Sequence, residues 1–368
     1  MWLRRILENK DQFFQDHTTS PARQRDLADV TVAIVYFDGL EDLRHCLACL
    51  SSQTLGPRRI LVVDNSATGL TPADVAEGID ILRSGANLGF AGGNNLALHE
   101  TKTEFFATLN ADAFPEPEWI EEMLNEARRH PEAAAFGGLQ RVDEQPELAD
   151  GIGDHYHFSG LAWRGGYLCE VADLELMPRR IFSPCGAAAF FRKADLMAIG
   201  GFDEDFFCYC EDLDAGFRLW LAGRECRFVP TAVVRHRGAG STGDSHSDFA
   251  VYHGHRNLVW VYLKNMPGIF LWLFLPVHLL LNLQMVHAVS QRGQGEVIRW
   301  SKRDAFMGIP RIWDKRLAIQ ARRKASLGDI WRVLDKSIPP EPWRRTFQRL
   351  KEQIRRRLAG GDSPANKL

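Results

Sequence analysis

Three short stretches carry side chains that could hold a cation, a phosphate and a proton. "LNADAFPEP" ends an apolar run on Asn110, Ala111 and Asp112. A hard divalent cation takes oxygen ligands and commonly keeps one or two protein carboxylates beside substrate phosphates. Asp112 at an open strand end would suffice for that; its competing role is a turn-forming aspartate that caps the next helix. "DFFCYCEDLD" sets Glu211 and Asp212 at a helix start, where the dipole stabilises a carboxylate. Beside Phe206, Phe207 and Tyr209, Asp212 has the setting of a general base for an acceptor hydroxyl, or that of a plain cap. Asp214 reads as the solvated face of that helix, with Arg218 as its partner one turn on. His236 closes "TAVVRH"; its imidazole would complete the coordination that Asp112 starts, or serve as a hydrogen-bonded structural residue. The loop after it, Gly238 to Gly243, has the composition of a lid.

A fourth stretch, "NLGFAGGNN" from Asn87 to Asn95, has glycines that let backbone approach a ligand and a following helix with free N–H groups for phosphate or sugar oxygens. It is not the dinucleotide fingerprint, because it follows the third strand and its spacing differs.

These residues need a scaffold, and the hydropathy pattern supplies one. "VTVAIVYF", "RRILVVDNS", "DILRS" and "TEFFATLNAD" read as strands, separated by the helical "EDLRHCLACLSSQ", "GGNNLALHE" and "EPEWIEEMLNEARRH". Continuously apolar strands alternating with helices indicate an α/β architecture with a mostly parallel sheet, whose ligands sit beyond the carboxyl ends of the strands. Asp38-Gly39, Asp64-Asn65-Ser66, Asn87-Leu88-Gly89 and Asn110-Ala111-Asp112 all fall at those ends. A helix from Asp212 to Ala222 and a strand from Arg227 to Pro230 lead to His236.

The net charge of −2 hides an asymmetry. From Arg292 onward roughly twenty Lys and Arg face about eight acids, so a basic tail follows an acidic body. Such a tail suits anionic lipid or an acidic partner; without a base-stacking aromatic platform, no nucleic acid is expected. Seven cysteines with no framework point to a reducing compartment, and Cys46 and Cys49 read as core-facing helix residues. "MWLRRILENK" has no long apolar core behind it, so no signal peptide is expected. Residues 1–29 read as an amphipathic helix and linker, 30–264 as the catalytic domain and 265–368 as a hydrophobic and basic helical region. Within the last, "GIFLWLFLPVHLLLNLQMVHAVS" is interrupted by Pro276 and His278 and is short for a clean span. A re-entrant or interfacial element is favoured, with the tail on the cytoplasmic leaflet of the inner membrane; the alternative is a helical subdomain or a homodimer interface.

Six segments in order, "VAIVYFDGLEDLRHCLACLSSQT", "ILVVDNSATG", "NLGFAGGNNLAL", "FFATLNADAFPEPEWIEEML", "CGAAAFFRKADLMAIGGFDEDFFCYCEDLDAGFRLWLAG" and "VVRHRGAGST", resemble the family 2 glycosyltransferases of GT-A fold, in particular the rhamnosyltransferase-like branch. The resemblance runs from about Val30 to Lys264 and implies roles. Tyr36, Asp38 and Asp64 would hold the nucleoside, and Asn87 and Gly89 would line the nucleotide-sugar pocket. Asp112, last residue of an Asp-X-Asp element, and His236 would carry Mg²⁺ or Mn²⁺. Asp212 would be the catalytic base, and Arg256 would lie near the diphosphate. Asn110 departs from the strict element and supplies at best a neutral oxygen. The implied reaction is inverting transfer of a sugar, with L-rhamnose from dTDP-L-rhamnose first and UDP- or GDP-sugars behind it, to a lipid-linked cell-surface glycan. The rivals are a nucleotidyltransferase making a sugar nucleotide, which lacks a basic glycine-rich first loop here, and an inactive scaffold subunit.

Overall fold

The computed structural model describes residues 27–238 and 247–338. The expected N-terminal amphipathic helix, most of the expected lid and the end of the basic tail lie outside those residues.

Four strands form the first half of the sheet: β1 (Leu27–Tyr36), β2 (Gly56–Asp64), β3 (Asp80–Arg83) and β4 (Phe105–Leu109). They pair in parallel in the order β3-β2-β1-β4. β1 shows why. Val30, Val32 and Ile34 face one core while Ala33 faces the other, so both sides are apolar and both need cover. Helix α1 (Leu40–Ser51) covers one side with Leu43, Cys46, Leu47 and Leu50, a helical repeat that confirms the core-facing position of Cys46. Helix α2 (Gly89–Glu100) covers the other side. It lies so close that a Cβ on Gly93 would meet Val35 at 2.8 Å. Helix α3 (Trp119–Arg129) buries Trp119, Ile120, Met123 and Leu124 beside α1.

The second half departs from parallel pairing. After β5 (Ala113–Pro115) come β6 (Ala133–Val142), β7 (Gln145–Gly151), the small hairpin of β8 (Asp154–Tyr156) and β9 (Ala162–Arg164), then β10 (Arg179–Arg180), β11 (Ala188–Arg192) and β12 (Glu225–His236). β11 runs antiparallel between β4 and β6, so the sheet is mixed. Two reversals restore direction: β6 and its parallel neighbour β12 run the same way as β4. The carboxyl end of β12 therefore reaches the rim where β4 ends. There β5 pairs antiparallel with β12, with Ala113 opposite His236.

Helix α4 (Lys193–Ala198) precedes α5 (Glu211–Leu221), and four longer helices follow: α6 (Asp248–Asn265), α7 (Gly268–Val289), α8 (Gly295–Met307) and α9 (Ile309–Ala321), ending with the short α10 (Leu327–Val333). Asp214 is not on a solvated face. It is fully buried, with Arg218 Nε at 2.7 Å, Asn265 Nδ2 at 2.7 Å and Lys264 Nζ at 2.7 Å. An acid and a base four residues apart look alike on any helix face; here α6 covers that face. Lys264 also pairs with Asp203, to which Lys315 of α9 donates as well. The helices after residue 247 are thus tied to the sheet domain by buried charge.

Among the described residues one helical stretch is long and apolar enough to cross a membrane, with a mean hydropathy of 1.9 over its most apolar window. Ile269, Trp272, Leu273, Leu279, Leu280 and Leu283 on α7 stand exposed, together with Trp300, Phe306 and Met307 on α8. Its inner side is anchored by His278, which stacks on Tyr262 at 3.9 Å and contacts the Ser159 carbonyl through Nδ1.

Breaking the buried ion network should be costly, because removing one partner strands a buried charge. We expect Lys264→Met to destabilise the fold by about 3 kcal/mol, read from the denaturant midpoint. A wild-type midpoint would contradict the network.

Candidate active site

At the rim of the sheet lies a cavity of about 840 Å³, within the range that holds a drug-sized ligand. Asn87, Gly89, Asn110, Asp112, Asp212 and His236 all line it, though they come from five separate elements and loops. Topology explains the convergence of Asp112 and His236. Asp112 follows β4, His236 ends β12, and the β5–β12 pairing sets the two ends together.

His236 is buried between two carboxylates. Its Nδ1 lies 2.9 Å from Asp150 Oδ2, and its Nε2 lies 3.4 Å from Asp112 Oδ1. Asp150 also receives Arg164 Nη1 at 2.6 Å. The 3.4 Å contact is long, and Nε2 has no hydrogen-bond partner by geometry despite being buried. Burial disfavours the imidazolium, but the carboxylates of Asp112 and Asp150 outweigh it and push the pKa of His236 up to about 9. Asp150 moves the other way: burial opposes its charge, yet Arg164 and His236 hold its carboxyl below the usual range.

That arrangement suits a cation. When Nδ1 carries the proton that Asp150 accepts, Nε2 presents a lone pair toward Asp112. A carboxylate behind a metal-bound histidine is the usual orienting partner. Among the described residues no cluster of three or more His, Cys, Asp or Glu side chains forms a complete cage. A two-residue site fits an ion that takes its remaining ligands from phosphates and water.

Asp212 lines the same cavity beside Gly186. Its Oδ2 accepts from Gly186 N–H at 2.6 Å and its Oδ1 from Leu213 N–H at 2.7 Å. Burial raises its pKa, against the pull of those two amides and of Arg164. Neighbouring acids are raised too: Glu211 and Asp154 by burial first, then by Asp212. Each oxygen of Asp212 is held by one amide and keeps a lone pair, so the carboxylate is aimed, while burial rather than those amides increases its affinity for a proton.

Other expected positions fall differently. The lining residues are Val35, Phe37 and Asn65, not their neighbours Tyr36, Asp38 and Asp64. The Asp64 carboxylate is turned into its own loop, where Ser66 Oγ at 2.6 Å and Leu70 N–H at 2.6 Å donate to it. Tyr36 is buried in the sheet, and Asp38 accepts from the Gly39 N–H. Arg256 does not reach the cavity. Its Nη2 donates to the carbonyls of Asp205 and Phe206, and its guanidinium lies over Trp260 at 4.4 Å. Residues that sequence reasoning missed are Asp150, Asp154 and Arg164, which come from short, aperiodic strands that give no pattern to read.

The model of the family described as "Glycosyl transferase family 2" matches residues 31–197. The N-acetylglucosaminyl-diphospho-decaprenol L-rhamnosyltransferase of Mycobacterium tuberculosis (strain ATCC 25618 / H37Rv) is 31% identical over 250 residues, covering 60% of this chain and 80% of that protein. The pre-mycofactocin glycosyltransferase of the same strain is 26% identical over 211 residues, 56% of this chain and 42% of the other. Among solved structures, GalNAc-T7 with UDP, GalNAc and Mn²⁺ superposes with a TM-score of 0.51 at 15% identity, over 65% of this chain and 48% of that one. The last likeness is one of fold, the GT-A arrangement.

Whether a cation binds beside His236 can be tested before any activity is measured. Asp150→Asn should lower Mn²⁺ affinity about 10- to 100-fold in titration calorimetry, as outer-shell changes do. Unchanged affinity would remove His236 from the ligand set.

Proposed function

We propose a reaction for this chain, which belongs to glycosyl transferase family 2 and is a glycosyltransferase. The reaction is inverting transfer of a deoxyhexosyl unit, L-rhamnose from dTDP-L-rhamnose, to a hydroxyl of a lipid-linked glycan. The observation that carries it is that Asp112, His236 and Asp212 line one cavity, the Asp212 carboxyl being raised in pKa by burial. The likeness to a rhamnosyltransferase whose name specifies a diphospho-decaprenol acceptor supports the choice of sugar and acceptor.

Asp112 and His236 would hold Mg²⁺ or Mn²⁺, which when bound offsets the charge growing on the departing diphosphate. Asn87, Gly89 and Asn110 line the cavity and would border the donor. Asp212 accepts the proton of the acceptor hydroxyl as that oxygen forms its bond to the anomeric carbon from the face opposite the diphosphate. The bond from that carbon to the diphosphate oxygen breaks, and the nucleoside diphosphate leaves with the electron pair. Gly186 and Leu213 N–H groups keep the carboxylate aimed throughout.

The exposed apolar face of α7 and α8 supports membrane association at a cytoplasmic surface, where a lipid-linked acceptor is found. Burying a leucine is worth about 1.5–3 kcal/mol, or at least roughly tenfold in binding. Leu280→Glu with Leu283→Glu should therefore cut sedimentation with anionic vesicles by more than about tenfold. Equal sedimentation would move the lipid contact elsewhere.

For the chemistry, Asp212→Asn should lower turnover at least about a hundredfold, the usual scale for a lost general base. Binding of the nucleoside diphosphate, read by thermal shift with and without Mn²⁺, should not change. A variant that keeps most of its turnover would end the base assignment.

A further inference from the structure

The turn that leads into the helix of Asp212 has backbone of an uncommon kind. The described non-glycine residues with positive φ are Leu168, Phe207, Tyr209 and Cys210, and the last three fall within one four-residue stretch. Phe207, at φ 64° and ψ −62°, occupies the rare γ-turn region, closed by Cys208 N–H donating to Phe206 O at 2.7 Å. Cys210, at φ 66° and ψ 5°, is left-handed and forms the cap of α5. A Cβ disfavours these conformations, so such a turn persists only where its surroundings over-determine it.

The surroundings are unusually specific. On one side, Ala91 N–H of α2 donates to Phe207 O at 3.2 Å, and Gly89 leaves the room: a Cβ there would lie 2.3 Å from that oxygen. On the other side stands Asn257 of α6, fully buried. Its Nδ2 lies 3.0 Å from Phe206 O, 2.9 Å from Cys208 O and 2.7 Å from Tyr209 O. Its Oδ1 accepts from Arg256 Nε at 2.9 Å, while Arg256 Nη2 takes the carbonyls of Asp205 and Phe206. One carboxamide thus gathers three converging carbonyls that the left-handed turn has pulled out of regular pairing.

We propose that Asn257 is a positioning residue for the glycosyl transfer: its carboxamide holds the 206–210 turn in its left-handed form and so fixes where Asp212 meets the acceptor. The inference rests on the base role given to Asp212 above. Asn257 is not among the residues that line the cavity. The requirement is for donors; an aspartate of the same shape would set an oxygen against three carbonyl oxygens. The turn also touches α2 at Gly89, so the donor side and the base share one clamp.

The test measures kcat, acceptor KM and nucleoside diphosphate Kd for Asn257→Asp, Asn257→Ser and Asp212→Asn in the full chain. Asn257→Asp should lower kcat by about a hundredfold, the scale of a small misplacement of a reacting group, with nucleotide Kd unchanged. Adding Cys210→Gly, which admits positive φ without strain, should recover part of that kcat. Should Asn257→Asp fail to fold, Asn257→Ser, which keeps a shorter donor, should show the same kcat loss in milder form. Wild-type kcat in either variant overturns the proposal, as does a kcat loss that Cys210→Gly does not relieve. If Asp212→Asn itself retains turnover, the base reading fails first, and that result is separate from the behaviour of Asn257.

Discussion

His236 sits between two acids, and the rim of the sheet is organised around that contact. Arg164 fixes Asp150, Asp150 fixes the imidazole, and the imidazole faces Asp112. Four residues from four different segments form a single line of charge. Left to themselves the two carboxylates would repel, and burial would make that repulsion expensive. A second proton on His236 relieves it, which is why its pKa is so high. A divalent ion at Nε2 would relieve it equally well and would be displaced by that proton. The chain therefore carries a built-in demand for positive charge at the spot where a diphosphate would need it.

How much of this can be read from residues alone depends on how local the signal is. Asp112, Asp212 and His236 were legible because each ends a strand or opens a helix, and strand ends in an α/β sheet share a rim. The meeting of Asp112 and His236 follows from direction, because β6 and β12 regain the direction of β4 across the antiparallel β11. Asp150 and Arg164 were not legible. They sit on short strands without periodicity, and only the hairpin geometry brings them behind His236. Asp214 misled because a salt-bridged i,i+4 pair on a helix says nothing about what covers it. Arg256 misled for a related reason: its place in the sequence resembles that of a diphosphate ligand, but the rotation of α6 points it at carbonyl oxygens.

The helices after residue 247 serve two environments at once. Their inner faces hold Lys264 and His278 against the sheet domain, and Arg316 ties the helices to one another by donating to the carbonyls of Leu263 and Met266. Their outer faces carry leucine, tryptophan and phenylalanine into solvent. A purely structural subdomain would bury the second set, and a simple anchor would not need the first. Both sets on one bundle mean that whatever surface the outer face meets lies at a fixed distance from the cavity.

The place of β12 in the chain has a bearing on synthesis. Among the described strands it is the last in the chain, yet it pairs with β5, β6 and β10 and delivers His236 to Asp112. Until β12 has emerged, the half-finished sheet displays an open edge at β6, and Asp112 and Asp150 lack the imidazole that lies between them. The apolar α7 follows close behind. Nascent chains of this protein thus expose their stickiest edge and their greasiest helix within one short interval, when a chaperone or a nearby bilayer has most to do.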